Sequence, residues 1–208
     1  MNAQSLAGAV NSISRLMTKN RDYLVELDQQ NGDGDLGISM AAGFKAVSDY
    51  LATCEEKDLG KLFMKSSGVF NEAAPSSLGT ILSIGLMGMA KALKGKEEAV
   101  AGEVAAAMEA GLGAIMEKAK SRPGEKTILD ALCPAVQVLK NAGGDKTAWI
   151  KAAQAAAEGC ESTRAMKSVH GRAVYYGEKS IGVLDGGSAA GKLIFEGISE
   201  FVVSISSC

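Results

Sequence analysis

The residues best placed to do chemistry lie in Leu27-Asp28-Gln29-Gln30-Asn31-Gly32-Asp33-Gly34-Asp35-Leu36-Gly37. Three carboxylates occur within eight residues, separated by glycines that permit tight turns and positive φ. Such a loop can gather Asp28, Asp33 and Asp35 at one point. Gathered carboxylates repel unless a cation joins them, and hard oxygen donors favour Mg²⁺ or Ca²⁺. An exposed acidic turn is the simpler alternative. An EF-hand is excluded. Counting from Asn31, its sixth position is Leu36 where a glycine is needed, and its twelfth is Ala42 where a glutamate is needed. A Mg²⁺ site that also holds a nucleotide's phosphates fits better.

Other stretches offer groups to phosphate. Gly37-Ile38-Ser39-Met40 opens a helix, whose free N–H groups and positive dipole end suit an anion. Ser76 and Ser77 follow a small-residue break and read first as helix caps. Arg172, between Gly171 and Ala173, can clamp a phosphate or pair with Glu178 or another acid. No GxxxxGK[ST] loop is present. His170, the single histidine, receives no role.

The elements that position these residues are helices. Apolar residues recur at helical spacing from Leu6 to Leu27, which reads as one helix running into the acidic loop. Further helices follow: Met40–Leu51, one capped by Asp58, Leu78–Leu93, Val104–Met116, Thr127–Lys140 with Pro134 inside, an alanine-rich helix after Asp145, and Ala189–Ile205. Asn141-Ala142-Gly143-Gly144 is a helix stop. The stretch from Gly171 to Ser188 loses helical periodicity and is too long for a simple connector. No strand-like alternation occurs. The fold class is therefore all-α, about eight helices in a single domain over 1–208.

Composition narrows the function. A chain of 208 residues, 47% hydrophobic, supports one sizeable core. A net charge of −2 and 5% aromatics give nucleic acid neither a field nor a stacking surface. Cys54, Cys133, Cys160 and Cys208 form no CxxC pair, so zinc is disfavoured and reduced thiols in a cytoplasmic protein are expected. Ala73 to Ala90 is charge-free and long enough to raise a membrane span, but Pro75, the serines and the glycines make it a buried helix behind a loop. No signal peptide is read at the N-terminus.

Several pieces coincide in order: the acidic loop; Leu78-Gly79-Thr80; Arg122-Pro123-Gly124-Glu125-Lys126-Thr127-x2-Asp130-Ala131-Leu132-x-Pro134; Gly171-Arg172-Ala173-x-Tyr175-x-Gly177-Glu178-Lys179-Ser180-Ile181-Gly182; and Asp185-Gly186-Gly187. Together they resemble the nucleotide-binding L subunit of dihydroxyacetone kinase over nearly the whole chain. The resemblance implies an antiparallel barrel of eight helices capped at one end by ADP or ATP with two Mg²⁺. It implies Asp28, Asp33 and Asp35 as metal ligands. Leu36, Gly37, Ile38 and Ser39 would contact nucleotide, as would Ala74, Ser76 and Ser77 in the phosphate loop. Arg172, Asp185 and Gly186 would complete the site, and Ala119 and Ile128 would line the pocket.

The implied activity is phosphoryl transfer to a ketose held by a partner subunit. The phosphoryl source is a phosphocarrier protein or exchangeable ATP, and a homodimer is compatible. A non-catalytic nucleotide- or lipid-binding regulatory module on the same scaffold is the alternative. Three departures stand out: Leu36 replaces a frequent histidine or threonine, Glu72-Ala73-Ala74-Pro75-Ser76-Ser77 replaces a glycine-rich run, and Asp185-Gly186-Gly187 replaces Asp-Pro-Gly. They leave room for a four-carbon ketose such as erythrulose.

Overall fold

The computed structural model describes residues 1–143, 145 and 147–206. Gly144 of the expected helix stop and Cys208 lie outside the described residues. Among those described, nine α-helices form: α1 (Ala3–Lys19), α2 (Arg21–Gln29), α3 (Leu36–Thr53), α4 (Leu59–Ala73), α5 (Ser77–Ala92), α6 (Ala101–Ala119), α7 (Leu129–Asn141), α8 (Ala148–Ser162) and α9 (Gly186–Ser206). Short 3₁₀ turns occupy the stretch before α9: Thr163–Ala165, and a pair within Arg172–Ser180 separated by a kink at Gly177, which takes φ +53°. The described residues contain no strand.

The caps follow from side-chain chemistry. Asn2 Oδ1 accepts from the Ser5 N–H at 3.0 Å, and Ser5 Oγ accepts from the Asn2 N–H at 2.8 Å. Asp58 accepts from the Lys61 N–H at 3.1 Å to open α4, as the sequence predicts. Ser76 Oγ accepts from the Gly79 N–H at 3.1 Å to open α5.

The expected first helix is two. Asn20 interrupts it by turning back on α1: its backbone N–H and its side-chain amide both donate to the Leu16 carbonyl. A side chain that competes for backbone acceptors is a helix stop. The apolar period continues past this break, which is why periodicity alone runs the two helices together.

Pro134 sits inside α7 without ending it. Proline donates nothing to the carbonyl four residues earlier, and here that carbonyl, of Asp130, faces Gly159 of α8. A Cβ at Gly159 would lie 2.0 Å from the Asp130 oxygen, so only glycine lets α8 approach.

Chain neighbours pack side by side in an up-and-down barrel, and α9 closes the ring against α1. Inward-facing Leu6, Ile13, Met17, Met40, Phe44, Phe70, Leu112, Val136 and Phe195 belong to one continuous apolar core. The Phe44 and Phe70 rings meet edge to face with centroids 4.9 Å apart. An apolar cavity of about 420 Å³ runs inside the barrel, lined by α1 and α3–α9. No helix among the described residues is long and apolar enough to cross a membrane. Cys54, Cys133 and Cys160 are free thiols.

Candidate functional site

One cleft of about 580 Å³ opens at an end of the barrel where α3, α5 and α9 begin. Its walls come from five places: the acidic loop, the turn into α5, residues 126–128, residues 168–173, and the start of α9. Three helix N-termini therefore converge on it, each bringing the partial positive charge of a helix start.

The acidic loop bridges α2 and α3. Asp28 lies in the last turn of α2, and its Oδ2 accepts the Gly34 N–H at 2.8 Å. The loop folds back tightly enough that a Cβ at Gly32 would lie 2.3 Å from Asp28 Oδ1. Gly34 takes φ +78°, in the left-handed region. Asp35 occupies the N-cap position of α3, yet its side chain makes no capping bond. Its carboxylate turns instead to its neighbours: one oxygen each from Asp28, Asp33 and Asp35 lie within 4.8 Å of one another. Partial burial, then the charges of Asp33 and Asp28, hold the Asp35 carboxyl above the usual range, while Arg172 pulls the other way. This clustering fits a divalent cation, because the donors are hard oxygens, close together and mutually repulsive.

Arg172 reaches across the cleft from the 3₁₀ segment and pairs with Asp33 at 2.7 Å. Glu178, the other acid considered for it, pairs with Lys167 instead. Asp185 precedes α9 and caps it, its Oδ2 accepting the Ser188 N–H at 2.6 Å. Burial pushes this carboxyl up to about 7, against the stabilising Ser188 bond.

Of the residues expected at the site, Asp28, Asp33, Asp35, Leu36, Ser76, Ser77, Ile128, Arg172, Asp185 and Gly186 line this one cleft. Five others do not. Gly37 is pressed into the α2–α3 joint, where a Cβ would lie 2.0 Å from the Arg21 carbonyl. Ile38 is 59% exposed on the outer face. Ser39 sits one layer behind the wall, donating to the Leu36 carbonyl and accepting from Ser76 Oγ. Ala74 is wholly buried beneath it. Ala119 ends α6, off the cleft wall.

The cleft also contains residues that the sequence reading passed over. His170 lines it and meets Glu125 Oε2 at 2.6 Å. That bond, with the Arg122 N–H, holds the Glu125 carboxyl below its usual range. Lys126 forms part of the wall from a buried position. The signal was present in both cases: His170 directly precedes Gly171-Arg172, and Lys126 ends the Pro-Gly-Glu-Lys run.

The model of the DAK2 domain family matches residues 30–200. The chain belongs to the DAK2-domain family. Among its relatives, it is 31% identical to the ADP-binding subunit DhaL of the PEP-dependent dihydroxyacetone kinase 1 of Listeria innocua, over 94% of each chain. It is 28% identical to the corresponding ADP-binding subunit of Escherichia coli, over 81% of this chain and 82% of that one. It also superimposes on the dihydroxyacetone kinase of C. freundii, solved in complex with AMP-PNP and Mg²⁺, with a TM-score of 0.77 and 25% identity. The match covers 96% of this DAK2 chain but only 34% of the C. freundii kinase. The family thus occurs both as a chain of this length and as part of a longer one.

Proposed function

We propose that this DAK2-domain chain is, as a single domain, the nucleotide-binding subunit of a dihydroxyacetone-type kinase. It would hold ADP or ATP with two Mg²⁺ in the cleft and pass a phosphoryl group to a ketose carried by a partner subunit. One observation carries the reading: three carboxylates, Arg172 and three helix N-termini face the same cleft. The names of the relatives support it, since they include ADP-binding subunits and a kinase complexed with AMP-PNP and Mg²⁺.

Phosphoryl transfer needs charge neutralisation and in-line positioning more than covalent help from the protein. Magnesium, when bound, supplies that neutralisation at the phosphate oxygens. The chain's own residues do the rest. Asp28, Asp33 and Asp35 would hold the cation end, and Asp28 also fixes the loop through Gly34. The N–H groups at the starts of α5 and α9 receive phosphate oxygens, with the Ser76 hydroxyl beside them. Arg172, paired with Asp33 in the structure, would turn to phosphate when the acids are neutralised. In the reaction, the bond from the terminal phosphorus of ATP to the leaving ADP oxygen breaks, one to a ketose hydroxyl oxygen forms, and the hydroxyl proton passes to the partner subunit or to water.

The chain covers about a third of the C. freundii kinase, which supports a separate ketose-binding subunit. The PEP-dependent relatives favour a phosphocarrier protein as the phosphoryl source. The test is reconstitution: this protein, a ketose-binding subunit, Mg²⁺, ADP and a labelled phosphoryl donor. Label should appear in the ketose phosphate. Bound nucleotide without transfer would make the chain a non-catalytic module.

A further inference from the structure

Lys126 is an unusual lysine. It is 3% exposed and takes φ +60°, in the left-handed region that side chains avoid. Its ammonium has no carboxylate within 4.0 Å among the described residues. It donates instead to three carbonyls, Ser180 at 2.6 Å, Val183 at 2.7 Å and Met166 at 3.1 Å. An ammonium has three protons to give, and all three are used. Such a group is costly to bury, and burial lowers its pKa. Its strained backbone is imposed from the other side: Asp130, itself 4% exposed, accepts the Gly124 and Thr127 N–H groups that flank it.

The three acceptors lie at the two ends of one loop. Met166 begins it, and Ser180 and Val183 end it. The loop carries His170 and Arg172 to the cleft, and Arg172 is the only one of its residues paired to the acidic trio among the described ion pairs. Lesser ties support the same closure, from the Gly182 N–H to the Arg164 carbonyl and from the Ser168 N–H to Ser180 Oγ.

We propose that Lys126 is a positioning residue: its buried ammonium ties both ends of the 166–183 loop and thereby sets Arg172 over the nucleotide phosphates. This deepens the nucleotide-site reading and rests on it. All three Lys126 ammonium protons go to loop carbonyls, which leaves none for a phosphate. Lys126 acts through those carbonyls on the loop that carries Arg172.

The experiment is a double-mutant cycle on the full chain, with Mg·ADP affinity measured by calorimetry for the wild type, Lys126→Met, Arg172→Ala and the double variant. Lys126→Met should weaken binding tenfold or more in the wild-type background and less than twofold in Arg172→Ala. Losses that multiply, or a folded Lys126→Met that binds as the wild type does, would overturn the inference. If Lys126→Met does not fold, Lys126→Gln keeps two donors for the three carbonyls and enters the same cycle. Hydrogen exchange gives a second readout. Amides of residues 168–180 should lose protection in the Lys126 variant while those of α7 and α9 keep theirs, and unchanged loop protection would also overturn it. Failure of the wild type to bind Mg·ADP overturns the kinase reading instead, and the exchange experiment still decides whether the clamp exists.

Discussion

Asp35→Asn should raise the stability of the protein without metal and lower it in excess Mg²⁺. The Asp35 carboxylate caps nothing and lies within 4.8 Å of two like charges. At that distance each repulsion is about 1 kcal/mol in a water-like medium and larger with less screening. Losing the Arg172 attraction offsets part of the relief. A net gain of about 1–2 kcal/mol follows, or roughly 2–8 °C in Tm for a chain of this size. Saturating Mg²⁺ acts the other way, because a ligand at 100 times its Kd stabilises by about 2.7 kcal/mol. The variant lacks one of the three ligands and should forgo most of that. Thermal unfolding in EDTA and in 10 mM MgCl₂ at ~0.1 M salt reads both effects. The variant should melt above the wild type in EDTA and below it in Mg²⁺. An Asp35→Asn protein that melts lower in EDTA, or gains as much from Mg²⁺ as the wild type, refutes the reasoning.

Three further outcomes follow from the same geometry. Gly37→Ala puts a methyl 2.0 Å from the Arg21 carbonyl, a backbone atom that cannot swing aside; urea denaturation should show a loss of about 1–3 kcal/mol. Arg172→Ala should weaken Mg·ADP binding about 10- to 100-fold by calorimetry, the scale of a hydrogen bond between charged groups. Asp185 titrates near 7 when folded and near 3.8 when unfolded, so between those values the folded state holds the extra proton. Stability of the metal-free protein must then fall as pH rises from about 4 to 7, by up to about 4 kcal/mol. Asp185→Asn should remove that slope, as read from denaturation midpoints across the range.

What the sequence made legible was local chemistry. The clustering of the acidic loop was legible because glycines at that spacing let the chain turn back and gather Asp28, Asp33 and Asp35. Asp58 and Ser76 announce helix starts because a cap acts within three residues. Contacts made at long range were hidden. The Lys126 ammonium reaches carbonyls 40, 54 and 57 residues away, and nothing in the Pro-Gly-Glu-Lys run says so. The Arg172 pairing was half legible: an acid was expected, but Asp33 lies 139 positions earlier in the chain. Asn20 was invisible to periodicity, since Met17 and Leu24 keep the helical phase across the break. Residues carried over from family resemblance divide by position. Ile128 and Arg172 reach the cleft because their loops do, whereas Ile38 and Ala119 are directed elsewhere by the helices that hold them.

The most direct test is a crystal grown with Mg²⁺ and ADP. The account predicts ion density about 2.1 Å from carboxylate oxygens of Asp28, Asp33 and Asp35, with the diphosphate facing the starts of α5 and α9 and Arg172 turned from Asp33 to phosphate. An empty cleft at saturating Mg·ADP, with the Arg172–Asp33 pair intact, would contradict it.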